Sequence, residues 1–234
     1  MTLAPEDFEN HSPSVRRVLD NPRPEWRGRM HKWMIPVAIV AALVLTLVAD
    51  PGLPRLIAAI YGLAGIGLYV ASAVAHYRIW EPRRLHFLFR FDQSMIMVFI
   101  AASTAPVAYS LGGTRGVLLM VGMLVVSVLG IVTFWLPFHP PRGFTNTLFV
   151  LVAGWPMLFV FSLRDGVGSG GLVLLVVGLV VYLIGALIVG SQRPNPNPEV
   201  FGYHEIWHIF VIVGSAVHYV LVLLILTGKA PVAL

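Results

Sequence analysis

The stretch GYHEIWHIFVIVGSAVHY, residues 202 to 219, sets two imidazoles, His204 and His208, four residues apart inside an apolar run. On a helix that step returns to within about 40° of the same face and climbs ~6 Å, the arrangement two imidazoles need to share one ion. The same step separates Ser72 from His76, placing a hydroxyl one turn from a third imidazole on its own helix face. Asp92 is the carboxylate at comparable depth. A charged side chain inside a span costs at least ~2.5 kcal/mol, so Asp92 must face the bundle interior and find a partner there; a metal-bound water would serve. The chain has no cysteine, which excludes disulfides and thiolate sites, and imidazole donors favour a zinc-like ion. HEIWH also fits the H-E-x-x-H zinc pattern, in which the glutamate is a general base. Glu205 adjoins His204, however, and points ~100° away from it on a helix. Near a helix start it reads better as a capping or interface carboxylate. His218 lies ten residues beyond His208, ~15 Å along the axis and on another face, so it reads as a helix–helix hydrogen bonder. His76 has the right depth for a third ligand. Plainer readings stand beside these: Asp92 paired with Arg90 or Arg84, and Ser72 bonded back to a carbonyl of its own helix. His11 and His31 fall in the N-terminal tail and His86 and His139 in loops, where solvated side chains are expected.

The elements that must position these groups are membrane spans. Of 234 residues, 57% are hydrophobic and 12% charged, and the mean hydropathy is +0.82. An integral membrane protein is the class these values select. A bilayer core of ~30 Å needs about 20 mostly apolar residues per helix. Seven such stretches are expected, at 33–49, 53–77, 87–110, 116–135, 145–163, 171–190 and 201–227. Between them DPGLPR, EPRR, GGTR, PFHPPRG, RDGVGSGG and RPNPNPE hold most of the glycine, proline and charge, the chemistry of short loops. The fold class is therefore an all-α, seven-helix transmembrane bundle. Its divisions are a polar tail over 1–32, a transmembrane domain over 33–228 and a short tail over 229–234. No removable signal peptide is expected, because the first 33 residues are polar and rich in Arg and Pro.

Cations set the orientation, since cytoplasmic loops retain Lys and Arg. Arg16, Arg17, Arg23, Arg27, Arg29, Lys32, Arg78, Arg83, Arg84, Arg142 and Arg193 fall on one side; Arg55, Arg115, Arg164 and Lys229 fall on the other. The N-terminus is thus expected in the cytoplasm and the C-terminus outside the cell membrane. His76, Asp92, His204 and His208 then share one layer near the cytoplasmic leaflet. The net charge of +5 reads as topology and contact with anionic lipid headgroups, not as nucleic-acid binding.

Three segments, SAVAH (72–76), FDQSMIMVFIAASTAP (91–106) and FGYHEIWHIFVIVGSAVHY (201–219), fall in that order on the second, third and seventh expected spans. In order and spacing they resemble the hemolysin III branch of the progestin and adipoQ receptor family, within the wider group of membrane hydrolases that includes alkaline ceramidases. The resemblance covers essentially everything after residue 26. It implies a zinc ion held by His76, His204 and His208, a zinc-bound water held by Asp92, and Ser72 as an auxiliary hydroxyl, which makes Asp92 and Ser72 the candidate catalytic pair. Gln93, where related sequences often have His or Tyr, and AASTAP, which lacks a common aromatic, bear on substrate contacts and not on the metal. The expected function is zinc-dependent hydrolysis of a membrane-lipid amide or ester at the cytoplasmic leaflet, a ceramide-type amide being implied by the resemblance alone. A non-enzymatic membrane sensor with structural zinc is the alternative, and a cytolytic membrane protein is the third class.

Overall fold

The computed structural model describes residue 15 and residues 23–136 and 142–229. Among these, the helices are α1 (Arg29–Val48), α2 (Leu53–Tyr77), α3 (Pro82–Leu111), α4 (Gly113–Trp135), α5 (Arg142–Gly154), α6 (Val160–Ser191) and α7 (Tyr203–Leu226), with a 3-10 helix at Trp155–Phe159. Six helical stretches are long and apolar enough to cross a membrane: α1, α2, α3, α4, the composite Thr147–Ser191 and α7. Large apolar side chains such as Leu47, Leu63, Leu118, Phe161 and Leu187 are exposed along them. In water that surface would be an aggregation liability; facing lipid it costs nothing. A buried cluster that includes Leu45, Tyr61, Leu68, Phe99, Leu163 and Leu221 forms the interior.

Neighbours in sequence pack together along the first half, α1 on α2, α2 on α3, α3 on α4, and α6 packs on α7. Helix α7 also meets α1, α2 and α3. That closure brings α7 against α1 and α2, and with it the histidines of α2 and α7.

Several boundaries differ from the expectation, α3 for example starting at Pro82 rather than at residue 87. Helix α1 starts at Arg29, four residues before the apolar run, because residues 23–28 are tied to the bundle and extend the helix into its polar edge. The stretch 164–171, expected as a loop, is helical apart from Gly168, whose φ of 69° and ψ of 173° lie off the helix. Glycines on either side explain why helix persists there. A Cβ on Gly166 would stand 3.1 Å from the Ser110 carbonyl oxygen, and one on Gly171 only 2.8 Å from Val167. These glycines serve close packing, while Gly168 supplies the kink, in a positive-φ, extended-ψ conformation essentially reserved for glycine.

Candidate metal centre

Two helices deliver three imidazoles to one point. Helix α7 begins at Tyr203 with Glu205 in its first turn, so His204 and His208 fall in its first two turns on one face. Helix α2 ends at Tyr77, which puts His76 in its last turn. One ring nitrogen from each of His76, His204 and His208 lies within 4.8 Å of the others. The His76 and His204 ring centres are 4.6 Å apart, His204 and His208 4.7 Å, and His76 and His208 5.4 Å, with planes inclined by 60–66°. Mutually tilted rings can aim in-plane lone pairs at one enclosed point, as tetrahedral coordination requires. His208 is 2% exposed and its Nδ1 has no hydrogen-bond partner among the described residues. The three imidazoles could hold a metal ion, and an all-nitrogen donor set is one that a zinc-like ion accepts.

Asp92, on α3, places Oδ2 3.3 Å from His76 Nε2. The plainer partners are otherwise engaged: Arg90 donates to the Leu136 carbonyl, and Arg84 faces Glu81 at 4.0 Å. The packing of α2 on α3 thus sets a carboxylate against the three-imidazole cluster. Ser72 is buried one turn from His76 on α2.

Glu205 is fully buried, and both of its oxygens are committed. Oε2 accepts the Gly202 N–H at 2.9 Å and Oε1 accepts from Arg27 Nε at 2.5 Å. It is the capping carboxylate that its position predicted, with an ion pair added. Its partner belongs to a strap, residues 23–28, laid across the site. Arg23 Nη2 donates to the His76 carbonyl at 2.5 Å, and burial, followed by the charges of Arg27 and Arg29, pulls the Arg23 guanidinium below its ordinary range. The strap's backbone pairs with the segment before α7, Glu25 N–H to the Glu199 carbonyl and Trp26 N–H to the Val200 carbonyl. Gly28 lets it lie flat: its φ is 75°, and a Cβ there would stand 2.7 Å from the backbone at His76 and Tyr77.

His31 overturns an expectation. It is 2% exposed, not solvated in a tail, and its ring lies 3.9 Å from that of His208 with planes 15° apart. No signal in the sequence marked it, because only the packing of α1 against α7 brings its ring to His208. His86 is likewise not in a loop; it sits half-buried in the first turn of α3. His218 does what was expected of it, with Nε2 3.3 Å from the Leu175 carbonyl of α6. His11 and His139 lie outside the described residues.

A cavity of about 330 Å³ within the bundle is lined by residues that include Leu68, Phe99, Trp207, Leu221 and Val222. Its wall is mostly apolar, with Ser103, Thr104, Tyr182 and His218 as polar points.

Comparison with known proteins places the whole chain rather than the site. A family profile described as Haemolysin-III related matches residues 20–219. The human monocyte to macrophage differentiation factor is 30% identical over 196 residues, covering 81% of this chain and 78% of its own. The hemolysin-3 homolog of Bacillus subtilis is 31% identical over 167 residues, 70% of this chain and 74% of its own. Hemolysin-3 of Bacillus cereus is 28% identical over 166 residues, 70% and 72% respectively.

Proposed function

We propose, from the premise that the chain belongs to the haemolysin-III related family and is a multi-pass membrane protein, that it is a zinc-dependent hydrolase of a lipid amide or ester. The observation that carries the reading is the convergence of His76, His204 and His208 from opposite ends of the chain. Three imidazoles would hold the ion and leave a fourth position exchangeable, the arrangement of catalytic rather than closed structural sites. When bound, zinc would supply Lewis acidity for a carbonyl and acidify a coordinated water towards neutrality.

The chain's own groups divide the remaining work. Asp92 keeps one oxygen on His76 and offers the other as a proton acceptor beside the ion. The Ser72 hydroxyl, one turn along α2, is the auxiliary donor for a carbonyl oxygen. The deep cavity matches an acyl tail, and its volume falls within the range of about 300–1,000 Å³ usual for small-ligand sites. A substrate with an apolar tail in that cavity and a polar linkage at the histidine layer is a membrane lipid. The strap bearing Arg23 and Arg27 closes the opposite side against bulk water, which strengthens every charge interaction within.

The topology belongs to the same proposal. Thr147–Ser191 spans 45 residues, ~67 Å of helix, more than twice the ~30 Å hydrocarbon thickness. Two crossings that turn at Gly168 make seven in all, with the N-terminus and the histidine layer at the cytoplasmic, Arg-rich side. Anionic headgroups would meet those arginines.

A structural-zinc sensor uses the same ligands, which clamp α2 to α7. Lipidomics on vesicles carrying wild-type protein or Asp92→Asn, with metal analysis of both, separates the two. The hydrolase reading expects a lipid product from wild-type protein, none from the variant, and bound zinc in each. Equal lipid profiles with zinc retained would overturn the hydrolase and favour the sensor.

A further inference from the structure

His31 carries chemistry that the three-ligand reading does not use. Its ring is stacked on His208 at 3.9 Å, and neither of its nitrogens has a hydrogen-bond partner among the described residues. The plane angles separate its role from that of the ligands. An imidazole lone pair lies in the plane of its ring. His76 and His204 are tilted about 60° and 66° to His208, so their lone pairs can meet its own at one point. At 15°, the lone pairs of His31 and His208 run in near-parallel planes and do not converge.

Behind His31 stands a second layer. The Tyr69 ring meets His31 edge-on at 5.2 Å and 81°, and the Tyr69 hydroxyl is 2.6 Å from Ser215 Oγ. Tyr69 precedes His76 on α2 by seven residues, and Ser215 follows His208 on α7 by seven, two helical turns in each case. The contacts therefore close a circuit: His208 on α7, His31 on α1, Tyr69 on α2, Ser215 back on α7. A ring clamped this way has no freedom to swing about its χ angles, and fixing ligand orientation by outer groups is how proteins tune metal affinity.

We propose that His31 is a positioning residue of the metal centre, a flat platform that holds the His208 ring in its ligating orientation. The inference rests on His76, His204 and His208 being ligands. Its test is metal affinity, measured by competition between the full-length detergent-solubilised protein and a zinc chelator. The Co(II)-substituted protein's visible ligand-field spectrum provides a readout that general destabilisation would not move. His31→Phe keeps a stacking face and no nitrogen; His31→Leu keeps apolar bulk and no face. Zinc affinity should fall about tenfold in His31→Leu, with a shifted Co(II) spectrum, and return to within about threefold of wild type in His31→Phe. Wild-type affinity and spectrum in His31→Leu would overturn the platform. Equal losses in both variants would overturn it as well, by assigning the role to the nitrogens. The ligand reading fails separately, if His208→Ala binds zinc as wild type does.

Discussion

Glu205 shows how a side chain inside a zinc-like motif can be committed to structure. One oxygen caps α7 through Gly202 N–H and the other pairs with Arg27, so neither is available to take a proton. Breaking a buried ion pair by removing one partner costs about 3–5 kcal/mol. Glu205→Gln should therefore lower thermal stability by an amount of that order, while chelator competition reports zinc affinity within about threefold of wild type. Unchanged stability with complete loss of turnover would identify it as the general base instead. Asp92→Asn is the opposite case, with turnover abolished in a vesicle assay and zinc retained; unchanged turnover would remove Asp92 from the reaction. The clustering of His76, His204 and His208 was legible because helical spacing and depth are properties of the sequence. His31 was not, since RGRMHKW offers no apolar period, and only contact with His208 reveals that the helix already runs through it. Nor could spacing reveal that Asp92 would meet His76, because that distance depends on how α2 and α3 pack.

Helix ends, more than helix interiors, decide the site. Most span limits followed from apolar runs alone, and α2 spans the expected residues. The strap at 23–28 was hidden because its polar composition is that of any cytoplasmic tail. What orders it is tertiary: Arg23 on the His76 carbonyl, Arg27 on Glu205, and a glycine at the one place where the backbone needs a positive φ. Gly28→Ala meets both obstacles, a left-handed conformation and a Cβ against the α2 backbone, a strain of about 1–3 kcal/mol. Hydrogen exchange should then show faster exchange at the Glu25 and Trp26 amides, which pair with Glu199 and Val200. Wild-type protection at both amides would mean that the strap does not depend on lying flat against α2. The glycine-rich stretch 164–171 misled in the other direction. Glycine clusters signal both loops and close helix contacts, and composition does not separate the two uses.

For the whole molecule the open quantity is the number of crossings, and the chain suits the experiment because it has no cysteine of its own. Single cysteines at Ser169, Gln192 and Lys229, labelled in intact cells with a membrane-impermeant maleimide, read the sides directly. Two crossings within Thr147–Ser191 predict labelling at 169 and 229 and protection at 192; one crossing would place 192 on the side opposite 142. The bundle itself is a closed assembly in which the first and last helices meet, so a ligand set split between α2 and α7 depends on the complete chain. The most direct measurement is therefore elemental analysis of the full-length protein, purified without chelator and without a metal-affinity step. About one equivalent of zinc in wild-type protein, and none above background in His76→Ala or His208→Ala, is the predicted result for a three-imidazole site. Wild-type protein that contains no stoichiometric metal, or retains it after both substitutions, would contradict the account.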